Sequence, residues 1–398
     1  MSIQKYLLLN LIILMSLLTN AQKRYDINIL SENRVREAIV SVPTKNPPAD
    51  GYPIVFMLHG TSGEASTYYL PKGWRELGQQ NNFITVFPSA LTWCFYEDGI
   101  KKHLSRFVCG NLLESICAED TINLVDDILF FKKIMKIIQD SVKVNKDKIF
   151  ISGFSNGSGM THNCAMRAND VFSAAAGSSG ILSKLDSLTP AKRIPLWFMV
   201  GTKDDRFFSD KFPDELPWGG DSILTYLQGN INRTLVCQGL STNYKKIETD
   251  SSHVYIWTEC RPGEQCAPYV FSLNKNQTHQ YPNGVNYFLD APKLFWDFFN
   301  NPPPTTHTNA SEEEFYSSVS AVYPNPAISS LTVYSGLDFD KKWDLIIRDF
   351  YGKILINKTE ISGPEIELNI GNYRSGVYIA EIISQYGSKF HKVIRTDR

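Results

Sequence analysis

The stretch "IFISGFSNGSG", Ile149 to Gly159, decides how the rest of the chain is read. An apolar β-branched run leads straight into Gly153-Phe154-Ser155-Asn156-Gly157, and "SGMTHNCAMRAN" continues from Ser158 as a helix. A strand that enters a sharp turn and then a helix lifts one side chain clear of a sheet edge. Small residues two before and two after that side chain let the backbone close so tightly. The spacing predicts Ser155 as an exposed nucleophile rather than a serine in a glycine turn. It also makes Asn156 N–H, at the helix start, a donor for an oxyanion.

The segments around this turn alternate between strand and helix. "YPIVFMLHG" ends in a buried strand, Ile54 to Leu58, and "FITVFPSA" gives Phe83 to Phe87 with Pro88 closing it. "DTINLVDDILFFKKIMKIIQDSV" predicts a helix capped by Asp120, with Leu124, Val125, Ile128, Phe131, Met135 and Ile138 at helical spacing. "VFSAAAGSSG", "IPLWFMVGT" and "PYVFSLNKN" read as later strands, and "APKLFWDFFN" as an amphipathic helix ending at Asn300. Apolar strands alternating with helices predict an α/β fold over residues 22–300, a mostly parallel sheet with helices on both faces.

A serine turn on such a sheet needs a second oxyanion donor, an acid and a base, the last two in that chain order. "MLHGTSG", Met57 to Gly63, follows an early strand, and Thr61 N–H is the predicted donor, with His59 propping the loop. "WFMVGTKDD" places Asp204 at a loop tip after a later strand, favoured over Asp205. "YVFSLNKNQTHQYP" places His279 just after the last strand. His253 also follows the acid but precedes a strand, which predicts the wrong sheet edge. His103 and His162 read as solvated or packed residues, and His307 and His391 fall in the linker and tail. "GGDSIL", Gly219 to Leu224, imitates a lipase motif, but its mid-chain position after "DELPW" reads better as helix capping by Asp221 or Ser222.

Composition narrows the setting. The 398 residues carry a formal net charge of -1, which provides no field for nucleic acid or an anionic membrane. "MSIQKYLLLNLIILMSLLTNAQ" predicts a signal peptide, 1–21: Lys5 is its basic region, Tyr6 to Leu18 its apolar core, and cleavage follows Ala21. The apolar run is short for a spanning helix and is interrupted by Asn10. Export permits disulfides among the seven cysteines. Cys237 with Cys260, or Cys260 with Cys266, are the candidate bridges, and Cys164 is the candidate free thiol. The cysteine spacing fits no zinc motif, and no cofactor or metal is called for.

Beyond Asn300 the rhythm breaks. "NNPPPTTHTNASEEEFYSS" is a Pro/Thr/Ser/Glu-rich linker, assigned to 301–321. "SLTVYSG", "WDLIIRDFYGKIL", "EIELNI" and "GVYIAEII" are short strands with turn residues between, predicting a small all-β domain over 322–398.

The motifs together carry a resemblance. On "LHGTSG", "FITVFPSA" with "WCF" following, "DKIFISGFSNGSGM", "VGTKDD" and "VFSLNKNQTHQYPNG", residues of about 30 to 300 resemble a group of secreted α/β-hydrolases. That group comprises polyhydroxybutyrate depolymerases and feruloyl esterases, and also contains acetyl xylan esterases. The resemblance implies Ser155 as nucleophile, Asp204 as acid, His279 as base, and Thr61 and Asn156 as oxyanion donors. It implies an ester substrate, either feruloyl or acetyl groups on plant polysaccharide or a polyester. Thr61 stands where the group often has Cys, and Tyr281 where it usually has Trp. Trp93, Trp218 and Tyr281 are the expected substrate contacts. The tail, with "YPNPA" at Tyr323 to Ala327, "DFYGKIL", "SGVYIAEI" and a basic end, resembles the C-terminal sorting domain of the Bacteroidetes type IX secretion system. That implies export across the outer membrane by the type IX machinery, with the tail removed or retained for surface attachment. The competing readings are a peptidase on the same fold and a non-catalytic surface binding protein.

Overall fold

The computed structural model describes residues 22–70, 73–208, 222–307 and 320–397. The expected signal peptide, Trp218, Asp221 and most of the linker lie outside the described residues. Strands β1 (Lys23–Ser31), β2 (Arg34–Val42), β3 (Tyr52–Leu58), β4 (Ile84–Pro88), β7 (Val144–Phe154), β8 (Ala174–Ser178), β9 (Leu196–Lys203), β10 (Lys245–Glu248), β11 (Ser252–Trp257) and β13 (Tyr269–Thr278) form one ten-stranded sheet. Its order is β1-β2-β4-β3-β7-β8-β9-β13-β11-β10. The six strands from β4 to β13 run parallel, and antiparallel pairs extend both edges. This is the α/β-hydrolase arrangement that the sequence predicts.

The strands read as apolar runs because both faces are covered. Along β3, Ile54, Phe56 and Leu58 enter one core while Val55 and Met57 enter the other. Helices α4 (Asp127–Ser141), α5 (Asn156–Arg167) and α6 (Ser222–Gln238) cover the first face. Helices α1 (Ala65–Tyr69), α2 (Trp74–Asn81) and α7 (Ala291–Asn300) cover the second. Helix α7 buries Phe295, Phe298 and Phe299, and each fully buried ring of this size stabilises by about 1.5–3 kcal/mol. The short helix α3 (Gly110–Leu113) completes the set.

Two readings need correction. Helix α4 begins at Asp127 and is capped by Asp126, whose side chain accepts Ile128 N–H at 2.8 Å. Asp120 instead accepts Cys94 N–H at 2.6 Å from within a 3-10 turn, Ala118–Asn123, so it staples a loop. The disulfides are Cys94–Cys117 and Cys260–Cys266, while Cys109, Cys164 and Cys237 are free and buried. Cys237 is thus no partner of Cys260. The Cys94–Cys117 bridge ties β5 (Thr92–Glu97), one arm of a hairpin with β6 (Ile100–Ser105), to the 3-10 turn.

The C-terminal region is a separate β-sandwich. Strands β15 (Ala321–Tyr323), β16 (Ser330–Tyr334) and β19 (Glu365–Asn369) form one sheet. Strands β17 (Lys342–Asp349), β18 (Ile354–Ser362), β20 (Gly376–Ser384) and β21 (Gly387–Arg395) form the other. Their inward residues, among them Leu331, Trp343, Leu345 and Ile382, make its core. β12 (Glu259–Cys260) pairs with β14 (Thr306–His307), so the first part of the expected linker lies along the hydrolase. Among the described residues no helix is long and apolar enough to cross a membrane.

Candidate active site

Strand β7 ends at Phe154, α5 starts at Asn156, and Ser155 alone makes the turn, with φ +53° and ψ −122°. That backbone is costly for a non-glycine residue, about 1–3 kcal/mol, and persists only where surrounding packing enforces it. Two glycines make the enforcement possible. A Cβ on Gly153 would sit 2.2 Å from Gly157 O, and one on Gly157 would sit 2.4 Å from His59 O. Ser155 N–H donates to Ser178 O at 2.9 Å, fixing the turn to β8.

Ser155 Oγ lies 3.0 Å from His279 Nε2, and His279 Nδ1 lies 2.8 Å from Asp204 Oδ1. The carboxylate only accepts, so Nδ1 carries the proton and Nε2 is left to accept from the serine hydroxyl. Asp204 is fully buried at the loop after β9; its Oδ1 also accepts Arg206 N–H at 3.1 Å. His279 follows β13 directly, and Phe154 packs beside its ring at 5.0 Å between centroids. The three residues come from the C-terminal ends of three neighbouring or near-neighbouring parallel strands, the edge where open α/β sheets bind ligands. Asp205 lines the cleft but does not meet the imidazole.

Thr61 and Asn156 line the same cleft. Asn156 is the first helical residue of α5, where N–H groups lack an intrahelical acceptor. Its side chain is occupied elsewhere, accepting Phe107 N–H at 2.7 Å and donating to Phe107 O at 3.2 Å. Thr61 is aimed by its neighbour. Gly60 O lies 2.7 Å from His59 Nδ1 and accepts Gly63 N–H at 3.1 Å. His59 Nε2 accepts Ala90 N–H at 3.0 Å, so the ring is neutral with its proton on Nδ1. Holding the Gly60 carbonyl fixes the Gly60–Thr61 peptide plane, which turns Thr61 N–H the opposite way. Burial keeps His59 neutral by lowering its pKa to about 4.

His253 does not reach Ser155; its Nε2 lies 3.0 Å from Glu248 Oε1. It does not sit at the opposite sheet edge that its place before a strand predicts. β11 runs antiparallel to β13, with His253 opposite Leu273, so its beginning lies at the same sheet edge as the end of β13. It is one strand farther out. His162 is buried in α5 with Nδ1 2.8 Å from Ser158 O, and burial lowers its pKa to about 4.

Two expected substrate contacts are buried instead. Trp93 is 1% exposed, packs with Phe95, Leu112 and Val125, and donates Nε1–H to Arg106 O at 3.0 Å. Tyr281 is 2% exposed, accepts Trp74 Nε1–H at 2.8 Å, and packs edge-on against Phe154 and Tyr68. Both rings belong to the apolar clusters beside the cleft rather than to its lining.

The cleft itself has a volume of about 770 Å³, and its lining includes the charged residues Glu97, Asp98, Lys102, Arg106, Glu114 and Arg206 together with Asn111. Glu97 is held by Lys102 and lies 3.7 Å from Arg206, and the Lys102 hydrogen bond keeps its carboxyl below the usual range. These charges stand mostly on the β5–β6 hairpin and the loops beside it. "YEDGIKKHLSRF" offered the signal, a charged hairpin turn directly after an aromatic strand.

Comparison with known proteins adds the following. Residues 321–396 match the secretion system C-terminal sorting domain family. No curated protein matches the chain. Among solved structures, the chain is similar to an acetyl xylan esterase from Aspergillus awamori at 14% identity and TM-score 0.46, covering 70% of this chain and 99% of that one. A ferulic acid esterase from Anaeromyces mucronatus, in complex with ferulic acid, is similar at 12% identity and TM-score 0.42, covering 70% and 90%. An S-formylglutathione hydrolase from Staphylococcus aureus is similar at 14% identity and TM-score 0.40, covering 71% and 98%. The chain therefore joins an α/β-hydrolase fold to a secretion-system C-terminal sorting domain.

Proposed function

We propose that this protein is an exported serine carboxylic-ester hydrolase, with residues 22–300 as its catalytic domain and the tail read by the type IX secretion machinery. The observation that carries the reading is the relay from Ser155 through His279 to buried Asp204, at 3.0 and 2.8 Å, opening on a cleft. Ser155 Oγ attacks the ester carbonyl as His279 Nε2 takes its proton. Asp204 keeps the imidazole in the required tautomer and stabilises the imidazolium. Thr61 and Asn156 N–H receive the oxyanion, and collapse releases the alcohol with the proton returned from His279. Water, deprotonated by the same imidazole, then cleaves the acyl-enzyme to acid and free Ser155.

The cleft lining favours an acyl group carried on a polysaccharide over a polyester. Sugar hydroxyls replace the water lost by Glu97, Lys102, Asn111 and Arg206 with hydrogen bonds. Packing a polyester's methyl and methylene groups there would desolvate the same polar and charged groups without replacement, at a few kcal/mol per group. The test is hydrolysis by the mature chain of acetylated xylan, methyl ferulate, polyhydroxybutyrate and short p-nitrophenyl esters, each beside Ser155→Ala. Serine-dependent turnover, fastest on the polysaccharide esters, is expected. Turnover of peptides alone, or none on any ester by folded protein, would overturn the reading.

A further inference from the structure

The sorting domain is seated on the hydrolase through a built interface. Arg261, just after β12, is 1% exposed, and its Nη1 donates to Asp338 Oδ1 of the tail at 2.8 Å. Its Nε donates to Leu240 O at 3.0 Å, so the hydrolase backbone already holds the guanidinium in place. Arg233, on α6, pairs with Glu365 of the tail, and both side chains are under a tenth exposed. Glu365 Oε2 also accepts the Tyr323 hydroxyl at 3.0 Å. Beside these pairs, Val236 of α6 packs with Tyr323 and Tyr334, and Phe339 joins them.

Two matched ion pairs at an apolar contact are more than a tether requires. Taking a charge out of water is unfavourable unless its partner is in place, so the matched pairs select this seating over any that would bury one of the charges alone. Both cations lie on the hydrolase and both anions on the tail. A guanidinium already held by Leu240 O loses less freedom on pairing, which favours association.

We propose that the C-terminal domain is a docked subunit of the hydrolase. The surface of Arg233, Val236 and Arg261 is a binding site for Tyr323, Asp338 and Glu365 of this chain's own tail, and the complex survives severing of the connection between residues 307 and 320. The proposal stands apart from ester hydrolysis and does not need it.

The experiment uses the full mature chain with a site-specific protease sequence placed within residues 308–319. After cutting, size-exclusion chromatography at micromolar concentration reads whether the fragments travel together, and circular dichroism reads whether each is folded. Co-elution is expected, with Glu365→Gln and Asp338→Asn each weakening the complex by about 100-fold or more, since breaking a buried pair leaves a charge uncompensated. These substitutions lie on the tail side, so the hydrolase surface stays intact. The swap of Arg261→Asp with Asp338→Arg offers a second check by restoring part of the loss. Folded fragments that elute separately at all salt concentrations would overturn the proposal, as would co-elution indifferent to both tail substitutions.

Discussion

Of the turns that place a residue at positive φ, two do opposite things. In the tail, the β17–β18 turn uses Gly352 at φ +84°, with open space around it and Tyr351 92% exposed. In the hydrolase, Ser155 takes φ +53° within a wall of neighbours so close that Gly153 and Gly157 admit no side chain. A glycine there relieves the backbone; a serine there is held against its preference. The lesson is that positive φ marks a site only when a non-glycine residue adopts it under enforced packing and polar groups converge on its side chain.

Substitutions can break this comparison, and the largest effect belongs to Ser155→Ala. The central claim predicts a loss of activity of at least about 10⁴-fold with the melting temperature retained, because Ala keeps the Cβ and loses only the nucleophile. His279→Ala should match it, while His253→Ala should leave turnover within a few-fold. Gly157→Ala is expected to cost more than about 4 kcal/mol in urea unfolding, because the new methyl meets His59 O at 2.4 Å and Leu58 O at 2.6 Å. Gly352→Ala, in open space at φ +84°, should cost only about 1 kcal/mol. Equal costs at the two glycines would erase the distinction.

Acid sharpens it further. His59 and His162 have pKa values lowered by burial from 6.5 to about 4, so between those values the unfolded chain binds more protons than the folded one. Stability is therefore full above pH 6.5 and falls as the pH drops toward 4, by roughly 3 kcal/mol per histidine. Melting temperatures from pH 7 to 4 should show that fall, and His162→Gln should flatten part of it. A curve indifferent to pH would contradict the buried neutral state. Replacing Cys94 and Cys117 together by Ala should cost about 2–4 kcal/mol, since the bridge closes a long loop and pins the hairpin that lines the cleft. Tyr351→Ser, at the exposed turn, should stay within about 0.5 kcal/mol.

What was legible in the sequence was what short contiguous segments encode. The apolar strands, the Gly153–Gly157 turn and the positions of Asp204 and His279 after their strands all follow from local pattern, and the sheet brings those side chains within hydrogen-bond distance. What failed depended on distance through space. Trp93 and Tyr281 lie near site motifs in sequence, but their rings point into cores. The Cys94–Cys117 pairing spans 23 residues and needs the hairpin's placement to be seen. The direction of β11, and hence the edge on which His253 sits, depends on a pairing that its own residues do not encode. The charge of the hairpin was visible in the sequence, while the reach of Lys102, Arg106 and Arg206 into the same cleft comes only from the fold.

The most direct test of the account is covalent labelling of the folded mature chain with a fluorophosphonate, followed by mass mapping of the adduct. The account predicts a single adduct on Ser155, formed far more slowly in His279→Ala and unaffected in His253→Ala. A folded protein whose Ser155 stays unlabelled while substrate esters are still hydrolysed would contradict it.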